Sequence, residues 1–107
     1  MDATKTKEML EKLVKELSDL KPEIKKIKDS DELKGIIIQS INLGVKFLEL
    51  LFKNSPQKIK QISDLKALLP IIQDERDISK LKIFCLNSIQ MVERLAKKIE
   101  RAEKNFV

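Results

Sequence analysis

Histidine, tryptophan and tyrosine are missing from this chain of 107 residues, and cysteine occurs once. Each absence excludes some chemistry. Without histidine, no Cys–His pair can form within the chain, so Cys85 has no partner base. The inward Glu-x-x-His metal motifs of helical bundles are excluded as well. A single cysteine allows no internal disulfide, which suits a reducing compartment, and a cytoplasmic protein is expected. Gly35 and Gly44 are the only glycines, too few for a phosphate-cradling loop. Long apolar runs are also lacking. The most apolar stretch, 35–52, is interrupted by Gln39, Asn42, Lys46 and Glu49, whereas a membrane span needs about 20 predominantly apolar residues. The start, "MDATKTKEMLEKL", has no apolar core of the kind found in a signal peptide.

Charge is abundant: 36% of residues are charged, against about 25% in a typical domain. With two glycines and three prolines, the Lys-, Glu-, Leu- and Ile-rich text reads as long helices joined by short turns. The length fits one domain, 1–107.

Apolar spacing places the helices. Leu10, Leu13, Leu17, Leu20, Ile24 and Ile27 step by 3 and 4, a helical seam. Glu8 with Lys12 and Glu11 with Lys15 are expected to pair on its wet side. The seam keeps phase across Pro22, so the segment reads as one helix over about 4–28 kinked at Pro22, or as two parted at residue 21. Ser30 or Asp31 is expected to cap a second helix over about 31–53. That helix is apolar around most of its circumference, so it is central or has a partner outside the chain. Gly44 within it predicts close packing against a neighbour. "NSPQ" (54–57) reads as a turn and restart, with Ser55 as cap and Pro56 at the first helical position. Ile59, Ile62, Leu65, Leu69 and Ile72 trace a third helix over about 56–74, kinked or broken near Pro70. Asp77 is the expected cap of a fourth helix over about 78–105, with a seam through Ile78, Leu81, Cys85, Ser88, Val92, Leu95, Ile99, Ala102 and Phe106.

Residues 14–21, "VKELSDLK", match 59–66, "IKQISDLK", at five of eight positions. With "ALL" (67–69) set aside as an insertion, the offset becomes 48, and twelve of the forty positions in 14–53 agree. Pro22 then falls on Pro70, Ile24 on Ile72, Asp29 on Asp77, Leu33-Lys34 on Leu81-Lys82, and Ser40-Ile41 on Ser88-Ile89. The fold expected is all-α: a four-helix bundle of two similar αα-hairpins, with an internal repeat (14–53 on 59–101). One hairpin cannot cover its own apolar face, whereas two packed about a pseudo-twofold axis can.

Candidate sites are few. Cys85 lies on a seam and reads as a buried structural residue. Asp29, Asp31 and Glu32 read as capping groups, without the spacing of a calcium loop. The excess positive charge lies in residues 54–107, which hold eleven basic and seven acidic groups. Arg94, Lys98 and Arg101 step by 4 and 3 along one face of the last helix, while Lys97 and Lys104 can pair with Glu93 and Glu100. The leading expectation is a non-catalytic α-helical protein–protein interaction module: a small subunit, adaptor or regulator, with a homodimer as the simplest form. Ile38, Val45 and Phe52 are the expected partner face. No enzyme activity, cofactor, metal or small-molecule substrate is expected. The alternative is a basic nucleic-acid-binding protein using Arg94, Lys98 and Arg101. On that alternative, DNA or RNA binding weakens steeply with salt and falls further in an Arg94→Glu/Arg101→Glu variant, as titration at several salt concentrations would read. Absence of binding at low salt removes it.

Overall fold

The computed structural model describes residues 3–51 and 56–104. Among them are five helices and no strand: α1 (Ala3–Asp19), α2 (Lys21–Ile24), α3 (Ser30–Leu51), α4 (Pro56–Asp74) and α5 (Ile78–Lys104). α2 continues α1 after a joint at Leu20, so the helices form four arms, the all-α bundle expected.

The joint shows what Pro22 does. Leu20 keeps right-handed helical dihedrals, φ −79° and ψ −15°. Its N–H, however, bonds back three residues to the Leu17 carbonyl, and Glu23 N–H does the same to Leu20. This short turn of tighter pitch accommodates the missing proline N–H. The seam survives it: Leu10, Leu17 and Ile24 are fully buried. Regular helix ends at Ile24 rather than near residue 28, because Lys26 and Ile27 again bond back three residues. On the wet side of α1, Lys7 and Glu11 form an ion pair at 3.5 Å. Pro70, by contrast, leaves α4 unbroken. It is exposed, so the freed Lys66 carbonyl can bond to water.

α3 is the central arm. Leu33, Ile37, Ile41, Phe47 and Leu48 are all at most 3% exposed, and α1, α4 and α5 all pack on it. Its closest relation is with α5. Leu33 lies by Cys85, and Gly44 lies by Met91 and Leu95, so the two helices run parallel. Gly44 allows the approach: an added Cβ there would stand 2.8 Å from Met91 Cε. α1 and α4 flank this pair and run antiparallel to it. Ser18 reaches Glu93 while Lys82 reaches Lys25, and Lys34 reaches Gln73 while Gly44 faces Leu65.

The offset of 48 recurs in the contacts. Asp29 Oδ1 accepts the Asp31 N–H at 3.0 Å, and Asp77 Oδ1 accepts the Ser79 N–H at 2.9 Å. Asp29, rather than Ser30 or Asp31, is therefore the cap of α3. Ile27 N–H closes on the Ile24 carbonyl, and Glu75 N–H closes on Ile72. Lys34 Nζ donates to the Gln73 carbonyl and Lys82 Nζ to the Lys25 carbonyl, both at 2.7 Å. Each lysine thus satisfies an end carbonyl of the other hairpin's first arm, where helix C-termini favour positive charge.

The glycines differ in a testable way. A Cβ built on Gly35 meets nothing within 4 Å. Gly35→Ala is expected to stabilise the fold by about 0.5–1 kcal/mol through helix propensity alone, read as a raised urea midpoint at constant slope. Gly44→Ala must displace Met91 and is expected to gain less or to destabilise.

Candidate functional site

The chemically distinctive side chains are structural. Cys85 is fully buried, and its thiol donates to the Leu33 carbonyl at 3.3 Å. Burial pushes its pKa up to about 11, so it is a neutral thiol at physiological pH. Ser40, also fully buried, donates to the Ile36 carbonyl one turn back, at 2.8 Å. Among the described residues, no three Cys, Asp or Glu side chains are grouped to hold a metal ion. No described helix is long and apolar enough to cross a membrane.

Glu93 joins α5 to the first arm. It accepts from Ser18 Oγ at 2.9 Å and pairs with Lys21, so the expected local pairing with Lys97 yields to a cross-helix one. Partial burial pushes its carboxyl up, but the hydrogen bonds from Lys21 and Ser18, with the charges of Lys21 and Lys97, outweigh this and hold it below its ordinary value.

Of the partner face expected on α3, one residue is buried and one borders the surface. Val45 is 8% exposed. Ile38 is half-buried and borders a shallow hollow with Leu13 and Lys46. Phe52 lies outside the described residues. Three arms pack on α3 and cover most of its apolar residues, while Ile38 stands beside the exposed stripe of Gly35, Gln39, Asn42 and Lys46.

Exposed apolar surface appears instead on α4 and α5. Leu68 is 41% exposed, Ile71 55%, Ile83 58% and Phe84 36%. α4 rests chiefly on α3 and leaves a groove against α5. At one end of it, a hollow of about 200 Å³ has Ile37 and Ile41 of α3 as its floor, Leu65, Leu68 and Ile71 as one wall, and Phe84, Asn87 and Met91 as the other. Next along it, Leu48, Gln61, Asp64, Leu65, Leu68, Met91 and Leu95 line about 390 Å³. On the α5 side, Asn87, Gln90, Met91, Arg94, Leu95 and Lys98 line about 460 Å³. The first two share Leu65, Leu68 and Met91, and the third adjoins them on α5 through Asn87, Met91 and Leu95, so together they trace a trough along α5. Arg94 and Lys98, read from the sequence as a basic stripe, form its α5 rim. Arg101 continues their line, and all three are exposed. Among the described residues none of the three takes part in an ion pair.

Leu68, Ile71 and Phe84 escaped the periodicity argument because each has an apolar neighbour that satisfies the seam better. The signal was the doubling itself: Leu68-Leu69 and Ile71-Ile72 each put one side chain about 100° away from the other, and Ile83-Phe84 both lie off the seam through Leu81 and Cys85, so both are exposed. The chain matches no protein-family model, no curated protein and no solved structure.

Two checks follow from the titratable groups. Cys85 is expected to resist thiol reagents at neutral pH in the native state and to react at once when unfolded, as a colorimetric thiol assay would show. Because Glu93 is held below 4.5, the Lys21 pair contributes above that pH and its contribution is lost as pH falls through the depressed value. Lys21→Met is expected to cost no more than about 1 kcal/mol at neutral pH. Urea titrations should show its difference from the wild type shrinking in acid.

Proposed function

We propose that this chain is a non-catalytic α-helical interaction module, a small subunit, adaptor or regulator that holds a protein partner in the groove between α4 and α5. The observation that supports this most is the exposure of Leu68, Ile71 and Phe84 around a trough whose floor is already apolar. Fully burying one such side chain is worth roughly 1.5–3 kcal/mol. Covering three that stand about half open would contribute a few kcal/mol, enough to favour a partner over water. A contiguous open apolar patch on a small domain is a recognised mark of an interaction surface. A second copy is the simplest occupant by symmetry, and a cytoplasmic setting suits the unpaired thiol.

The second reading, nucleic-acid binding, has its own support in Arg94, Lys98 and Arg101, which are exposed and form no ion pair among the described residues. It gives no role to the apolar trough beside them. Among the described residues Phe84 is the one aromatic lining the trough for base stacking.

A Leu68→Glu/Ile71→Glu variant separates the readings. It is expected to keep its helical circular dichroism and to lose association, whether self-association seen by sedimentation or retention of a co-purifying protein. Undiminished association in that variant, or a wild-type chain that stays monomeric and binds nothing, would remove the groove from consideration.

A further inference from the structure

The groove's electrostatics narrow its occupant, on the reading that it is a docking surface. Its floor is apolar and its α4 wall mostly so, and among the described residues Asp64 is the one acidic group lining it. Its α5 rim is basic: Arg94 and Lys98 line it directly, and Arg101 follows one turn on. The trough runs from Phe84 to Lys98, about 20 Å at the helical rise per residue, which is four turns of a partner helix. A second copy would bring a chain of net charge +5 and the same basic rim, and the two rims would repel. A phosphate backbone would be attracted to the rim but would leave the apolar floor wet.

We propose that the α4–α5 groove receives an amphipathic helix of a partner protein, its apolar stripe seated on Leu68, Ile71, Phe84 and Met91 and its acidic flank against Arg94 and Lys98. Helix-in-groove docking reads apolar side chains at spacings of three and four residues. The shared position of Met91 in all three hollows supplies a continuous seat for such a stripe. Met is suited to the seat because its flexible thioether conforms to varied partners. The charged rim sets the direction of docking and speeds encounter. Asp64 on the opposite wall disfavours acid there, so the partner's acidic residues lie on one flank only.

The test uses three synthetic helical peptides with leucines at heptad spacing: one with glutamates along a single flank, one with lysines in their place, and one with the leucines replaced by alanine. Each is titrated into the full chain by fluorescence anisotropy, with amide shifts followed by NMR. The Glu peptide is expected to bind about tenfold more tightly than the Lys peptide, a ratio that two rim ion pairs can supply. That preference should decline with salt, and shifts should cluster at Leu68, Ile71, Phe84 and Met91. In an Arg94→Glu/Lys98→Glu variant the preference should invert. Both positions are exposed, so inversion cannot be mistaken for unfolding. The alanine peptide should not bind. Equal affinity for the Glu and Lys peptides, shifts outside the groove, or a groove already covered by a second copy would each overturn the proposal. So would a DNA or RNA duplex binding through Arg94 and Lys98 while the Glu peptide stays unbound. Among these, the first and the copy-covered groove leave the docking surface standing and remove only the acidic helix. Silence of the groove towards every probe removes both.

Discussion

α3 is apolar on all but one stripe, Gly35, Gln39, Asn42, Lys46 and Glu49, which is exposed, and the rest of it is kept from water by the arms packed around it. That enclosure organises the molecule. α5 lies parallel to α3 and close to it, at a distance set by Gly44, and together they form the spine of the core. Parallel neighbours cannot be joined by a short turn, so each is preceded by an arm that runs the other way: α1 with α2 before α3, and α4 before α5. The four-arm arrangement follows from enclosing α3 with short connections. It also explains why the end carbonyls of one hairpin's first arm are met by a lysine of the other. Lys34 and Lys82 occupy equivalent positions at the starts of α3 and α5, and each reaches the flanking arm that ends beside it.

The two flanking arms are equivalent in position but not in fit. Val14 and Leu17 of α1 are 8% and 1% exposed. Their counterparts on α4 are Ile59, which is 68% exposed, and Ile62, which is half-buried. After the prolines the match returns, with Ile24 and Ile72 both buried. Between these points lie Ala67, Leu68 and Leu69, the three residues without a counterpart in the first hairpin. Three extra residues turn a helix by about 300°, which leaves the preceding stripe some 60° out of phase with the one that follows. The first arm has no such insertion and a looser joint at Leu20. α4 is continuous, so its phase error cannot be absorbed locally. It seats Leu65 against α3 at Gly44 and Ile72 in the core, while Ile59, Leu68 and Ile71 stay exposed and the side towards α5 stays open.

The seams of α1, α3 and α5 were legible because each is a simple run of steps of three and four, and a buried stripe is a property of one helix at a time. Asp77 as a cap was equally local. Asp29 was less so, because Ser30 and Asp31 beside it are equally good caps by residue type and only the backbone decides among them. Pro22 and Pro70 read alike in the sequence but act differently, since one sits at a joint of tighter pitch and the other on an exposed face where water replaces the lost bond. The groove was not legible from the seams, because it belongs to the relation between two helices rather than to either. The doubled apolar positions state that something must face outward, but not that Leu68, Ile71 and Phe84 face outward into the same trough. Val45 shows the converse: an apolar residue off the main stripe that is nevertheless buried.

Placing the apolar excess on α4 has a further consequence for how binding and folding are coupled. The core residues lie on α1, α2, α3 and α5, with Ile72 as the deepest contribution from α4. Leu68 and Ile71 stand outside that cluster, so their side chains can be altered with little effect on the enclosure of α3. The free energy that would hold a helix in the groove therefore comes from surface the fold does not use. The exceptions are the floor residues Ile37 and Ile41, which belong to the core, and Met91, which packs against the core while lining all three hollows. Its Cε lies at the point where Gly44 admits α5 to α3. A side chain seated in the groove would touch Met91, and Met91 touches the spine, so the width of the groove and the closeness of α3 to α5 are linked through this one flexible residue.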